Sequence, residues 1–317
     1  MTPKRPLGRT GLSISPLVFG GNVFGWTIDK KTSFNLLDRL AGAGFETVDT
    51  ADVYSAWKPG NVGGESETIL GEWMRARGCR DRMVIITKVG MQMAPDRKGL
   101  SAAWIERAVE DSLRRLQTDH IDLYLSHKFD PDTPHEETLA AYQKLIAAGK
   151  VRAIGASNFD AVQLRAALDT AKAKGLPRYE VLQPEYNLYD RKNYDGALRD
   201  LAMTEGLGVI TYYSLAKGFL SGKYRSEADL GQSPRGGGVK AYLNERGFRV
   251  LQVLDDVASR HGAKPAEVAL AWLMARPGVT APIASATSLG QLESLLRAAS
   301  LDLASEDIAV LEAASRY

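Results

Sequence analysis

One pattern recurs through most of the chain: a short continuous apolar run, then a longer stretch whose apolar residues fall three or four positions apart. The runs cover residues 16–19, 45–48, 83–87, 121–125, 151–155, 180–183, 207–211 and 280–283. Unbroken apolar runs of this length fit strands covered on both faces. Between them, Ile105, Val109, Leu113 and Leu116 recur at helical intervals, as do Leu139, Tyr142, Leu145 and Ile146. That spacing marks helices with one buried face. Alternation of strand and helix predicts a parallel α/β sheet, and eight repeats predict closure into a (β/α)8 TIM barrel. All 317 residues fit one such domain, 1–317, without a linker or low-complexity boundary. Residues 4–14, KRPLGRTGLSI, hold a Gly-centred turn between two extended runs and predict an N-terminal β-hairpin across the bottom of the barrel. Additional helices are expected near the C-terminus.

Charge and cysteine content narrow the classes. A net charge of +2 gives no general pull toward nucleic acid or an anionic membrane. The densest basic run, Arg75, Arg77, Arg80 and Arg82, is interrupted by Asp81 and reads as a solvated helix end. Cys79 is the sole cysteine, so no intrachain disulfide forms. No secretory leader or membrane span is legible, and a cytoplasmic location is expected.

Three apolar runs end in ionisable groups. FETVDTADVY carries Asp49, Thr50, Asp52 and Tyr54; RMVIITK ends in Lys88; IDLYLSH ends in His127. Asp49, Lys88 and His127 are equally spaced at 39 residues, one strand and one helix apart. In a parallel barrel they meet at the carboxyl ends of neighbouring strands, where such barrels hold their chemistry. A phenol near pKa 10 is a poor acid unless its phenolate is stabilised, and an ammonium does that, so Lys88 is expected to lower the pKa of Tyr54. Asp49 would hold Lys88 charged, and His127 would orient a carbonyl oxygen or pass a proton. The group suits protonation of a carbonyl that receives hydride. A barrel aldolase with Lys88 as Schiff-base nucleophile is the rival enzyme reading. His120, His127, His135 and His261 show no metal-ligand spacing, and no metal is expected. There is no GxSxG elbow and no GxGxxG after a strand.

Further groups follow the other strands. Gly20, Gly21 and Asn22 offer backbone approach to a ligand, although a plain turn explains them equally well. Ser157, Asn158 and Gln183 are amide and hydroxyl candidates for a carboxamide. Phe24, Trp26, Tyr54 and Trp57 suggest an aromatic-walled substrate pocket. Two long loops, 55–66 and 222–240, break the rhythm, and long loops in compact domains are commonly functional. Arg235, before three glycines, is a candidate phosphate clamp. From Lys264, KPAEVALAWL resumes a helix with Pro near its start.

The segments DTADVY, ITK, LYLSH, GASN, LQPEYNLYDR, TYYSLAKGFLSGKY and IASATS stand in the order found in aldo-keto reductases, and the chain resembles that family from about Leu7 to Leu311. The resemblance implies the tetrad Asp49, Tyr54, Lys88 and His127, with Tyr54 as general acid and base. It implies NADP(H), with NAD(H) as a weaker second choice, and a small carbonyl or alcohol substrate. Cofactor contacts would come from Gly21, Asn22, Ser157, Asn158 and Gln183, from Tyr212 stacked on the nicotinamide, from backbone groups of Leu215, Gly218 and Leu220 at the pyrophosphate, and from Ser214, Lys223 and Arg235. Ser285, Thr287, Ser288 and Gln291 would serve the adenosine end. The chain departs from relatives there: no Lys or Arg lies between Arg276 and Arg297, and Leu295 stands where relatives often carry Asn. The resemblance also admits a nicotinamide-sensing regulatory subunit similar to potassium-channel beta subunits.

Overall fold

The computed structural model describes residues 4–317; residues 1–3 lie outside it. The hairpin strands come first, β1 (Arg5–Pro6) and β2 (Ser13–Ile14), paired antiparallel. The barrel begins with β3 (Val18–Gly20), α1 (Lys30–Gly42), β4 (Thr47–Asp49), α2 (Glu65–Arg77), β5 (Val84–Val89) and α3 (Ala102–Leu116). It continues through β6 (Ile121–Ser126), α4 (His135–Ala147), β7 (Val151–Ser157), α5 (Ala161–Lys174), β8 (Val181–Gln183), α6 (Ala197–Thr204) and β9 (Gly208–Thr211). It ends with α7 (Glu245–His261), α8 (Pro265–Ala275), β10 (Ala281–Ala284), α9 (Leu289–Ala298) and α10 (Ser305–Ala314). Strands β3 to β10 close a parallel barrel in chain order, β10 pairing β3. Local signals set the helix starts: Asp29, Ser101 and Ser288 accept from backbone N–H groups of the first turn, and Pro265 opens α8.

Burial separates two cores. Val18, Ile86, Leu123, Leu125, Val181, Ile210 and Ile283 fill the barrel interior together with Leu7, Leu12 and Ile14 of the hairpin. The larger cluster lies between barrel and helices and includes Trp73, Ile105, Leu139, Tyr142, Leu254 and Trp272. The hairpin is thus a plug at the amino-terminal end of the strands. Gly8 permits it: its φ is +55, and a Cβ there would meet Gly208 N at 2.5 Å and Glu180 O at 2.7 Å.

The expected strands all form, with shifted ends. Asp49 closes β4 instead of following it, and Lys88 lies within β5. Register explains the consequence. Asp49 pairs with Ile86, and Lys88 stands two residues beyond Ile86 on the same interior face. Residues 222–240 also differ from a plain loop, since two 3-10 runs, Glu227–Gln232 and Gly236–Tyr242, organise them. Between β9 and β10 stands α7 as well as α8, a helix beyond the simple repeat, and α10 packs on it.

Candidate active site

The interior layer above Ile86 is polar. Lys88 is fully buried and donates from Nζ to Asp49 Oδ2 at 2.7 Å, to the Thr50 carbonyl at 2.7 Å and to Tyr54 Oη at 2.9 Å. All three ammonium protons therefore have acceptors. Tyr54 in turn donates to Asp49 Oδ2 at 3.2 Å, and Nζ lies 4.5 Å from the centre of its ring. Asp49 Oδ1 accepts from Gln183 Nε2 at 2.8 Å, which ties β8 to the same carboxylate across the barrel. His127 follows β6; its N–H donates to the Val89 carbonyl, and its ring lies edge-on to Tyr54 at 6.0 Å. The structure brings all four expected residues together.

Electrostatics assign protonation states. Burial lowers the Lys88 pKa, and the Asp49 carboxylate opposes that. Burial, followed by the charge of Asp49, pushes the Tyr54 pKa well up. The net direction is opposite to the lowering expected from Lys88 alone, because burial disfavours a phenolate and the carboxylate that holds the lysine adds to this. Tyr54 is thus a neutral phenol carrying a proton to give. Burial, then Lys88, holds His127 well below its ordinary value, so the imidazole is neutral. Its Nδ1 is buried without a partner, which favours the tautomer with the proton on Nε2.

Around this centre the other expected residues divide. Trp26 and Trp57 pack edge to face at 5.5 Å, and Trp57 packs against Tyr54 at 6.0 Å, so both form a wall beside the phenol. Phe24 does not: it is fully buried and stacks on Phe19 at 5.7 Å, a core residue and not a substrate contact. Asn158 joins Tyr212 to the site, accepting from its hydroxyl at 2.6 Å and donating to the His127 carbonyl at 2.8 Å. Ser157 is buried and donates to the Gln183 carbonyl. Asn22 accepts from Ser285 at 2.7 Å. At the start of α9, Thr287 bonds Gln291 through both its N–H and its hydroxyl, and Ser288 caps the helix. Lys223 is exposed over the ring of Tyr224, whereas Arg235 lies over Trp26 at 5.2 Å.

The remaining cofactor candidates have partners within the chain. Ser214 is buried with its hydroxyl turned to the Thr211 carbonyl. The N–H groups of Gly218 and Leu220 both donate to the Leu215 carbonyl, so the turn itself consumes the donors meant for a pyrophosphate. Gly21 is buried, and a Cβ there would meet Ser66 Oγ at 3.0 Å and Asp49 O at 3.1 Å.

Some of the site was not foreseeable from residue patterns. The Thr50 carbonyl as a Lys88 acceptor and the Gln183 bridge to Asp49 depend on register across the barrel, and spacing carries no signal for either. Asp52 is buried with both carboxylate oxygens unpartnered, and burial, then the nearby Glu67, raises its pKa well up. It hydrogen-bonds none of the four side chains, and its N–H donates to the Lys88 carbonyl at 3.3 Å.

Comparison with known proteins agrees with this geometry. The sequence model of the Aldo/keto reductase family matches residues 16–316. An uncharacterized oxidoreductase of Bacillus subtilis, YrpG, is 36% identical over 316 residues, covering 96% of this chain and 93% of the relative. The aldo-keto reductase YhdN of the same organism is 33% identical over 310 residues, covering 93% and 87%. A probable voltage-gated potassium channel subunit beta of Oryza sativa is 34% identical over 303 residues, covering 92% and 89%. With a closed parallel barrel and this match along nearly its whole length, the chain belongs to the aldo/keto reductase family of oxidoreductases.

Proposed function

We propose that this protein reduces the carbonyl of a small aldehyde, ketone or sugar, and oxidises the corresponding alcohol, using NADP(H), with NAD(H) as a weaker second choice. The observation that carries the reading is the hydrogen-bonded set Asp49–Lys88–Tyr54 beside the neutral ring of His127. The donor set fits a nicotinamide dinucleotide. Tyr212 is partly exposed and pinned through its hydroxyl to Asn158, which suits stacking on a flat ring. The α9 start, with the hydroxyls of Thr287 and Ser288, suits a phosphate. When bound, such a cofactor supplies the hydride.

The chain's own residues do the rest. Nε2–H of His127 and the hydroxyl of Tyr54 bind and orient the substrate oxygen. As negative charge grows there, Tyr54 transfers its proton to that oxygen. Lys88 donates to the phenolate left behind, and Asp49 with the Thr50 carbonyl keeps the ammonium in place. In the alcohol direction the same path runs backward.

One feature weighs against the aldolase reading, and turnover separates the reductase from the sensing subunit. A Schiff-base lysine needs access to substrate, whereas Lys88 is sealed in and spends all three donors internally. A purely sensing subunit would not sustain turnover. The test is Tyr54→Phe and Lys88→Met in a carbonyl panel followed by NADPH absorbance. Both variants are expected to bind NADPH and to lose most reduction, by about a hundredfold or more. Near-normal turnover in Tyr54→Phe would defeat the assignment, and absence of sustained turnover in the parent protein would favour the sensing role.

A further inference from the structure

Two loops that carry indoles beside Tyr54 are joined by a seam of side chains. The first leaves β3 and runs through residues 24–28; the second, residues 55–66, lies between β4 and α2. Three groups of the second loop donate to the two carbonyls just before Trp26. Ser55 Oγ donates to the Phe24 carbonyl at 2.6 Å, while Lys58 Nζ and Asn61 Nδ2 donate to the Gly25 carbonyl at 3.2 Å and 3.1 Å. Asn61 Nδ2 also donates to the Ser55 carbonyl at 3.0 Å, so one amide spans both loops. Its orientation follows from its partners: both are acceptors, and only the –NH2 end of the carboxamide can serve two of them. The corner is closely packed as well. Gly25 has a φ of +71, and a Cβ there would meet Glu65 Cβ at 2.9 Å.

The seam holds a conformation that its residues do not favour locally. Ser55 is fully buried with a φ of +74, a left-handed backbone that is costly for a residue other than glycine. Between Ser55 and Asn61 stands Trp57, 47% exposed, its ring 5.5 Å from Trp26 and 6.0 Å from Tyr54. Two turns fix the backbone on its far side, Lys58 N–H donating to the Ser55 carbonyl and Asn61 N–H to the Lys58 carbonyl. A large ring held open to solvent forgoes the stabilisation of burial, and an apolar surface of this kind beside a proton donor is suited to being covered by a ligand. Strained backbone, shared carbonyls and an uncovered indole point the same way. We propose that Asn61 is a positioning residue that sets Trp57 against Trp26, and that this preformed corner selects flat aromatic carbonyl compounds over saturated ones of equal size. The inference rests on the reductase reading and adds to it the residue that shapes the substrate wall.

Benzaldehyde and cyclohexanecarbaldehyde test it, with the parent protein, Asn61→Ala and Ser55→Ala. A change in the ratio of their kcat/KM values from protein to protein cancels their different intrinsic reactivity. That ratio is expected to fall about three- to tenfold in both variants, the range of one aromatic contact, with the loss carried by KM for benzaldehyde. Near-ultraviolet circular dichroism supplies a second readout, since the signal lost in Trp57→Leu should be lost in Asn61→Ala too. A ratio that keeps its parental value overturns the proposal, even where both aldehydes are slowed alike, because the bond then only supports the fold. A fallen ratio with the Trp57 signal intact also overturns it, since Asn61 then acts by another route. If Asn61→Ala does not fold, Ser55→Ala decides by the same two readouts. If the parent turns over neither aldehyde, the reductase reading fails, and dichroism still judges the corner: loss of the Trp57 signal in Asn61→Ala upholds it, and retention removes it.

Discussion

Asp52 and Asp49 are three residues apart and live under opposite conditions. Asp49 receives Lys88, Tyr54 and Gln183; Asp52 receives none of them and is buried beside Glu67. A carboxyl whose folded pKa is raised contributes stability below its unfolded pKa and loses it as pH rises toward the folded value, because the unfolded chain ionises first. Asp52→Asn cannot ionise, so its unfolding free energy relative to the parent should rise from pH 5 upward, by roughly 1.4 kcal/mol per pH unit while the window lasts, with Tm moving in the same direction. A difference in Tm that is flat over this range would show that Asp52 is ionised in the folded protein. Legibility at this scale followed chain spacing. Asp49, Lys88 and His127 are readable because each stands at the carboxyl end of an equivalent strand, Asp49 closing β4, Lys88 one residue before the end of β5 and His127 just after β6. Gln183 contacts Asp49 from across the barrel, and the direction of the Tyr54 shift depends first on its burial and then on Asp49, so neither has a trace in sequence order.

At the scale of elements, continuous apolar runs and helical spacing located the barrel strands and most helices, but the segment between β9 and β10 was harder. Its polar, glycine-rich stretch conceals two 3-10 runs held by capping and close backbone approach. The eight-unit rhythm also needs only α8 there, so α7 has no place in the pattern despite its buried Val250, Leu251, Leu254 and Val257. The α9 start carries a further consequence. Thr287 and Gln291 satisfy each other, no cation occurs between Arg276 and Arg297, and Leu295 faces the core. A missing charge-assisted contact to the adenosine 2′-phosphate costs about 1.5–3 kcal/mol. Preference for NADPH over NADH should therefore be modest, and Thr287→Arg should raise the ratio of their kcat/KM values about tenfold or more. A parent protein that prefers NADH would overturn the NADP(H) assignment.

The whole molecule divides labour between the two ends of the barrel. The proposed chemistry lies at the carboxyl end, where register stacks Asp49 and Lys88 above the Ile86 layer. The amino end is closed by a hairpin that inserts Leu7, Leu12 and Ile14 into the interior cluster and lets Gly8 touch Gly208. The layers between are packed apolar side chains, so a loss at the bottom is felt as stability and not as displaced catalytic groups. Leu7 has no solvent exposure, and its truncation leaves a cavity under the barrel. Leu7→Ala should cost about 2–5 kcal/mol in urea unfolding. Under native conditions kcat for a reduced aldehyde should stay within about twofold of the parent. If kcat instead fell in proportion to stability while the protein remained folded, the two ends would be coupled through the interior, and the hairpin would have to be counted as part of the support of Lys88.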